Sequence, residues 1–599
     1  MEHQFGFILA GVMSISSMGS LAIAPVASAN ETHQESQDDF SVVYPPNGHE
    51  TTAQQIFLIG TAPPDGEVRV NGVVIERSPA GHFAPSFPLE RGNNSFMLEF
   101  QDQRIELTVT RSGGTSPVPD GSMFVSESLY PTVNIARLPG ESICFEAIAP
   151  PNAEVSVRLS DQVIPLRSSG TGVALPPNSA VLTQQNSPTD ITSSQAATYQ
   201  GCHSFLAPGN LGNPSYQLFH NGQEQIQPAA GTIDILDPST PDIAEVIGRS
   251  GAARTGPSTD YSRLTPLPPG TQSAITGRES NWYRLDYGVW IRDTDVTVKP
   301  GAAPLRSLIR SIRSRQTDGW TEVLFPLQAP VPISVEQGDD TFTLILHNTT
   351  AQTDTIFVDN DPIIRRLDWT QPSPDNVRYT FRLHSEQQWG YTLRYEDTTL
   401  ILALRHPPTI SPVRNDLEGI RIVIDPGHGG EELGARGPTG FPEKDVNLIV
   451  SSLLRDELVQ RGATVFMTRE EDVTLSLGDR IDQINQLEPT LALSIHYNAL
   501  PDNGDAINTA GIGMFWYNPQ AHDLSVFLHD YLTITLDRPS YGVFWNNLAL
   551  TRPTTAPSVL LELGFMINPT EFEWIVDSQE QQRLAGAIAD GIAEWLQQP

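Results

Sequence analysis

The sequence predicts a multidomain chain in which a C-terminal α/β domain, with a mixed or mostly parallel sheet covered by helices, follows several all-β modules. Three observations predict it. The 599 residues exceed what one hydrophobic core organises, so several domains are expected. Over roughly the first two thirds, short apolar runs alternate with Pro, Gly and Asn turns, the pattern of small β modules. In the last third, strand-like apolar runs alternate with helical patterns, the arrangement of helices covering a sheet.

Composition narrows the partners. Hydrophobic residues make up 39% and charged residues 18%, as in folded soluble domains. The formal net charge is -34 and no dense Lys/Arg stripe occurs. That excludes nucleic acid, whose binding relies on cations that neutralise phosphates, and argues against an anionic membrane surface. The acidity itself reads as solubility.

Taken in order, residues 1–29 read as a signal peptide. Phe5 to Ala24 is mostly apolar, and Val26-Ala27-Ser28-Ala29 supplies a small-x-small cleavage pattern before Asn30. Met1-Glu2-His3-Gln4 lacks the usual basic residues, so an upstream start and an atypical signal both stay open. Export places the mature chain in the periplasm or at the cell wall, with no stable membrane insertion after cleavage, since no other segment is long and apolar enough to span a bilayer. Residues 40–111 carry Ile56–Gly60, Glu67–Gly72, Ser95–Phe100 and Ile105–Val109, short strands expected to form an Ig-like β-sandwich. Residues 122–240 read as a second β module, interrupted by the polar stretch 178–198 and holding Cys144 and Cys202. Whether these two pair is left open by the sequence.

Residues 245–300 contain ARTGPSTDYSRLTPLPPGTQSAITGRESNWYRLDYGVWIRDTDVTV, from Ala253 to Val298. This resembles the bacterial SH3-like module in its Gly-Pro-Ser start, its Pro-Gly-Thr turn, and its Trp-Tyr-Arg followed by Trp-Ile. Trp282, Tyr283, Tyr287 and Trp290 have two readings, an aromatic platform for a peptide or sugar, or the barrel's own core. Residues 305–406 are again β-rich, with Thr341–Leu346, Arg378–Leu383 and Leu400–Leu404. By position and strand pattern they resemble the wall-binding AMIN domain. Pro407 to Val413 forms a Pro-rich linker.

Residues 418–599 hold strands at Ile420–Ile424, Thr464–Met467, Leu491–Ile495 and Val559–Leu561, and helices at Glu443–Gln460, Asp523–Leu536 and Gln581–Leu596. In the first helix Val446, Ile449, Val450, Leu453, Leu454 and Leu458 recur at helical spacing and mark a buried face.

Four ionisable residues stand at element ends. His428 follows a strand in RIVIDPGHGG, Glu443 opens a helix in FPEKDVNL, His496 ends a strand in LALSIHYNA, and Glu562 ends one in VLLELGF. Residues beyond the carboxyl ends of strands share a crevice in open α/β sheets, so distant segments can converge there. Two imidazoles and a carboxylate suffice to hold catalytic zinc with a position left for water. A second carboxylate can move the proton. Glu562 is the candidate, because Leu560, Leu561, Leu563 and Phe565 around it favour a raised pKa. Each residue also has a plainer explanation. A lone strand-end His is commonly structural, and Glu443 alone is explained by the helix macrodipole. A charge inside an apolar strand, as at Glu562, must be paired or functional. Asp425 is positioned to orient an imidazole, and His522 and His529 read as structural.

Taken together, DPGHGG, the helix-opening Glu443, Thr468-Arg469, SIHYNA and LLELGFMIN, spread in order over Arg421 to Leu596, resemble the zinc N-acetylmuramoyl-L-alanine amidases of lytic wall enzymes. The resemblance implies zinc ligation by His428, Glu443 and His496, and acid/base catalysis by Glu562. It also implies peptidoglycan as substrate, cut between N-acetylmuramic acid and the L-alanine of the stem peptide. Related enzymes carry an inserted helix that blocks the zinc; here only Asn498 to Ala510 stands at that place, so no obligatory activator is expected. Two rivals remain: another zinc hydrolase on the same scaffold, such as a peptidase, and an inactive wall-binding or activator protein.

Overall fold

The computed structural model describes residues 40–598 apart from 113–120, 122, 170–171, 175–188, 192–195, 249–250, 302–305 and 359. The expected signal peptide at 1–29 lies outside the described residues, as does most of the polar stretch 178–198. Among the described residues, no helix is long and apolar enough to cross a membrane.

The region before residue 410 is built from strands. In the first part, Gly92–Phe100 and Gln103–Arg111 form a long hairpin within a five-stranded sheet, beside a three-stranded sheet of Ser41–Tyr44, Ile59–Thr61 and His82–Phe83. Phe96, Leu98 and Phe100 alternate inward along one strand of the hairpin and Leu107 and Val109 along the other, the period of two that lets a strand bury one face. Further on, Ser142–Ala149 and Ala197–Ser204 run antiparallel with Cys144 opposite Cys202, and the two are joined by a disulfide.

The next two expected modules share a sheet. Ile135–Arg137, Gly209–Gly212 and Ile233–Ile235 join the eight-stranded sheet that contains Gln272–Glu279 and Trp282–Leu285. Hydrogen bonding between exposed strand edges gives the sequence no local signature, so this continuity was not visible in it. Trp282 and Trp290 are buried there, and Tyr287 stacks on His347 of the following region with ring centroids 4.5 Å apart. These aromatic rings therefore form core and interface rather than an exposed platform. Residues 307–405 form a five-stranded and a four-stranded sheet around Phe325, Phe342, Tyr379 and Phe381.

The last third is α/β. Its strands are β1 (Arg421–Pro426), β2 (Thr464–Met467), β3 (Leu491–Asn498), β4 (Ile512–Trp516), β5 (Ser540–Trp545) and β6 (Ser558–Phe565). Its helices are α1 (Glu443–Gln460), α2 (Leu477–Leu487), α3 (His522–Leu536), α4 (Pro569–Val576) and α5 (Ser578–Leu596). The sheet order is β2-β1-β3-β6-β4-β5. The first four strands are parallel, β4 runs antiparallel to β6, and β5 is parallel to β4, so the sheet is mixed. β1, β3 and β6 are buried along nearly their whole length, which explains their continuous apolar runs. Helices α1, α3 and α5 pack together on this sheet through Val446, Val450, Leu454, Leu528, Leu532, Ile588 and Ile592. Ile449, counted with the buried face of α1 from its spacing, is 41% exposed.

Three elements carried little sequence signal. α2 buries only Arg480 and Ile484 and is set by its cap, Ser476, which accepts from the Asp479 amide. α4 is started by Asn568, which accepts from the Thr570 and Glu571 amides, with Pro569 in its first turn. β5 is an edge strand containing Gly542 and exposed at both ends, so it lacks the alternation that marks a buried face.

Candidate metal and acid–base centre

The carboxyl ends of the central strands bring the four candidate residues together. His428 sits two residues past β1, Glu443 opens α1, His496 lies near the end of β3, and Glu562 lies on the neighbouring β6 directly across from His496 in register. His428 Nε2 is 3.1 Å from Glu443 Oε2, and His496 Nδ1 is 3.0 Å from Glu443 Oε1. The two imidazole rings are 4.9 Å apart, edge to face. One donor atom from each of the three residues lies within 4.8 Å of the others.

The loop after β1 allows this approach. A Cβ on Gly427 would lie 2.2 Å from the His496 ring, and one on Gly434 would lie 2.4 Å from Glu443 Oε2, so neither position admits a side chain. His428 itself has φ of 58°, the left-handed region that a non-glycine residue occupies at a cost. Arg480 holds it there by donating to the His428 carbonyl at 2.6 Å. The same guanidinium donates to the Pro426 carbonyl at 2.8 Å and pairs with Asp425 at 2.7 Å, both partners being almost completely buried. Asp425 also accepts from Thr468 and Ser494. It therefore anchors the loop through Arg480 and does not orient an imidazole, which corrects the expectation from the motif.

Glu443 is 3% exposed. Its Oε1 accepts from Asn447 Nδ2 and from the Tyr497 amide, each at 3.1 Å, and Oε2 accepts from the Ala435 amide at 2.8 Å. Burial pushes its pKa up, but the hydrogen bonds and charge of His428 and His496 outweigh burial and hold the group ionised, well below the ordinary carboxylate range. Burial lowers His428, and Glu443 more than offsets this, so its pKa is raised.

Glu562 is the opposite case. Burial first, and then the charge of Glu443, push it well above the ordinary value. Its Oε2 is buried and has no hydrogen-bond partner among the described residues. Two carboxylates in one site thus sit at opposite ends of the titration range, one fixed as an anion and one with high proton affinity. The donor set, two imidazoles and an ionised carboxylate, fits a borderline divalent cation such as zinc. His522 stacks edge-on against Trp516, and His529 bonds Asp530 and Ser540, both away from this centre.

Sequence reasoning missed Asn447 and Arg480. Asn447 lies one helical turn after Glu443, a spacing that would have pointed to it. Arg480 left no signal of its own: Leu477, Ile481, Ile484 and Leu487 recur at helical spacing around it, and nothing in that pattern marks one cation for burial.

The segment from Asn498 to Ala510 also does more than connect two strands. Tyr44 donates to Asp502, His49 Nε2 lies 3.0 Å from Asp502 Oδ2, and Gln55 donates to the Asn503 carbonyl at 2.6 Å. Phe57, Ile59 and Ala84 of the first β region pack against Ala506, Phe565 and Ile567. The first β region thus docks at the rim of the site. A second upstream contact lies on the far side of the domain, where Tyr391 donates its amide to the Thr554 carbonyl at 2.7 Å and Trp389 packs on Trp595.

The α/β domain is similar to known proteins. Residues 422–594 match the Amidase_3 family model, N-acetylmuramoyl-L-alanine amidase. The probable cell wall amidase LytH of Staphylococcus aureus is 37% identical over 185 residues, 30% of this chain and 59% of the relative. The chain therefore spans a little under two thirds of the curated relatives it matches. Among solved structures, the catalytic domain of CwlV, an N-acetylmuramoyl-L-alanine amidase from Bacillus (Paenibacillus) polymyxa, is 31% identical with a TM-score of 0.28, covering 30% of this chain and 98% of that one. AmiC2 of Nostoc punctiforme is 29% identical with a TM-score of 0.29, again covering 30% and 98%.

Proposed function

We propose that this chain is a peptidoglycan hydrolase that cleaves the amide between N-acetylmuramic acid and the L-alanine of the stem peptide, with zinc held by His428, Glu443 and His496 and with Glu562 as the acid/base. The observation that carries it is the unpartnered buried oxygen of Glu562, in register with His496 and facing a His/Glu/His set. The family match of residues 422–594 supplies the substrate class.

When bound, zinc supplies Lewis acidity for the scissile carbonyl and lowers the pKa of a water toward neutrality. The rest falls to the protein. Glu443, fixed by Asn447 and two backbone amides, keeps its carboxylate ionised and oriented. Arg480 holds the His428 backbone so that the imidazole points at Glu443. Glu562 takes a proton from the attacking water and returns it to the departing amine, a task suited to a carboxyl group whose proton affinity is raised. Leu561, Leu563 and Phe565, all buried, line the strand that carries it. The upstream β regions act as positioning modules that hold the enzyme on the wall, which places the protein outside the cytoplasmic membrane.

The test is mass spectrometry of purified peptidoglycan digested by the full chain. Released stem peptides with a free L-alanine amino terminus support the assignment. Cuts between stem-peptide residues would make the protein a peptidase, and an intact wall in the presence of zinc would make it a binding protein.

A further inference from the structure

The small barrel over 251–301 meets the α/β domain at a group of arginines that catalysis does not use. Arg254 and Arg263 face each other across an isolated antiparallel bridge. The Arg254 and Arg292 guanidiniums lie 6.0 and 5.4 Å from the same ring, that of Trp282. From the other domain, Tyr517 donates its hydroxyl to the Arg263 carbonyl at 3.3 Å. Its neighbour Asn518 donates to the Arg552 carbonyl at 2.9 Å, and the Arg552 side chain lies near enough to Arg263 and Arg254 to feel their charge.

These cations lack anions. Among the described residues none of the four forms an ion pair; Asp260 and Asp295 are felt only at longer range. Arg254 commits one nitrogen to the Thr259 and Tyr261 carbonyls at 2.7 and 2.6 Å, and Arg552 commits two to Asn547 at 2.7 and 2.9 Å. The guanidiniums of Arg263 and Arg292 donate to no described group. Burial, followed by the charge of Arg263 and Arg254, lowers Arg552 to about 10.

In a chain with a net charge of -34, gathering unpaired cations partly out of water is unfavourable by itself. An oxyanion removes that penalty, because planar guanidiniums grip carboxylate or phosphate with paired hydrogen bonds. Beside them the Trp545 ring is 62% exposed, 5.4 Å from Tyr517 and held by a bond from its Nε1 to the Tyr517 carbonyl at 3.1 Å. It offers a fixed apolar face to whatever the arginines hold. This place is distinct from the metal centre. Gly513, early in β4, pairs with Glu562, whereas Tyr517 follows the other end of that strand, about 13 Å away at the usual rise per residue.

We propose that this junction is a second binding site, for the free carboxylates of stem peptides on the wall polymer, with Arg263, Arg292 and Arg552 gripping the carboxylate and Trp545 covering the adjoining apolar face. The ligand's identity rests on the amidase reading, whereas the anion site rests on the arginines alone.

The test uses the full chain carrying Glu562→Gln, so that nothing is cut, titrated calorimetrically with a soluble uncross-linked muropeptide. Parallel titrations use the same fragment with its carboxylates amidated, and inorganic phosphate. Two binding events are expected. Adding Arg263→Gln and Arg552→Gln should weaken one of them about tenfold or more, the scale of lost charge-assisted hydrogen bonds, and amidation should weaken the same event. Arg292→Gln, at an exposed position, should weaken it several-fold without touching the fold. Arg263→Lys and Arg552→Lys should retain part of the affinity that the Gln variants lose, since the charge stays without the fork. Unchanged binding in the Gln variants, undiminished binding of the amidated fragment, or binding of phosphate with no binding of the fragment would each overturn the proposal. If the fragment binds through these arginines but the protein containing Glu562 leaves it uncut, the amidase assignment fails and the site stands.

Discussion

The α/β domain and the sheets of 307–405 handle buried polar groups differently. In the sheets of 307–405 two buried carboxylates are satisfied where they stand. Asp361 accepts from Thr321 and from the Ile363 and Ile364 amides, and Glu322 is clasped by Arg315 and Arg394. In the α/β domain four buried side-chain atoms have no hydrogen-bond partner among the described residues. Asn447 Oδ1 and Ser451 Oγ lie on consecutive turns of α1, Tyr497 OH belongs to the residue after His496, and Glu562 Oε2 to the residue across from His496 on β6. Leaving such atoms unpaired costs free energy, and the upstream regions carry a few of them too, the Tyr287 hydroxyl and the Nε atoms of Arg111 and Arg278. What sets the α/β domain apart is that one of its unpartnered atoms belongs to a carboxyl group in register with His496.

The sharpest way to break this comparison is to remove a donor. His428→Ala or His496→Ala should abolish stable zinc binding and all turnover, since each takes one of three protein ligands; zinc stoichiometry on the purified chain checks it, and an unchanged ratio sinks the ligand assignment. Next in size is Glu562→Gln, which should keep zinc and the thermal midpoint while lowering kcat by roughly 10²-fold or more, because the amide cannot take the proton. Full turnover with zinc retained would move the proton shuttle elsewhere. Asn447→Ala should weaken zinc affinity by about 10- to 100-fold by freeing the Glu443 carboxylate, measured by competition with a chromogenic chelator; an unaltered affinity would reduce Asn447 to packing. The smallest effect belongs upstream. Breaking the exposed Arg378–Glu336 pair should cost less than about 1 kcal/mol in a denaturant titration, and any loss of kcat on a soluble muropeptide would blur the division between the two regions.

Which features could be foreseen follows from how far apart their determinants lie. His428, His496 and Glu562 each end a strand whose apolar run is continuous, so their place on one edge of an α/β sheet was readable locally. Glu443 was readable as the first residue of a strongly periodic helix. Asn447 was not singled out, because an Asn inside a helix has many ordinary explanations. Arg480 and Asp425 are 55 residues apart and meet only because α2 crosses beneath the loop after β1. The docking of Phe57 and Ile59 on Phe565 and Ile567 was equally hidden, since an apolar strand residue announces burial but not its partner.

Local chemistry alone determined the β-then-α/β order, the buried faces of the long helices and the four residues at the centre, because each depends on spacing within a few residues of chain. Tertiary structure decided the rest. It paired Cys144 with Cys202, joined two upstream regions in one sheet, turned Asp425 from an imidazole partner into a loop anchor, and gathered arginines from positions 254 to 552 at one junction. Each of these is a contact between surfaces that already satisfy their own local rules, and nothing in a short stretch of sequence specifies which such surface meets which.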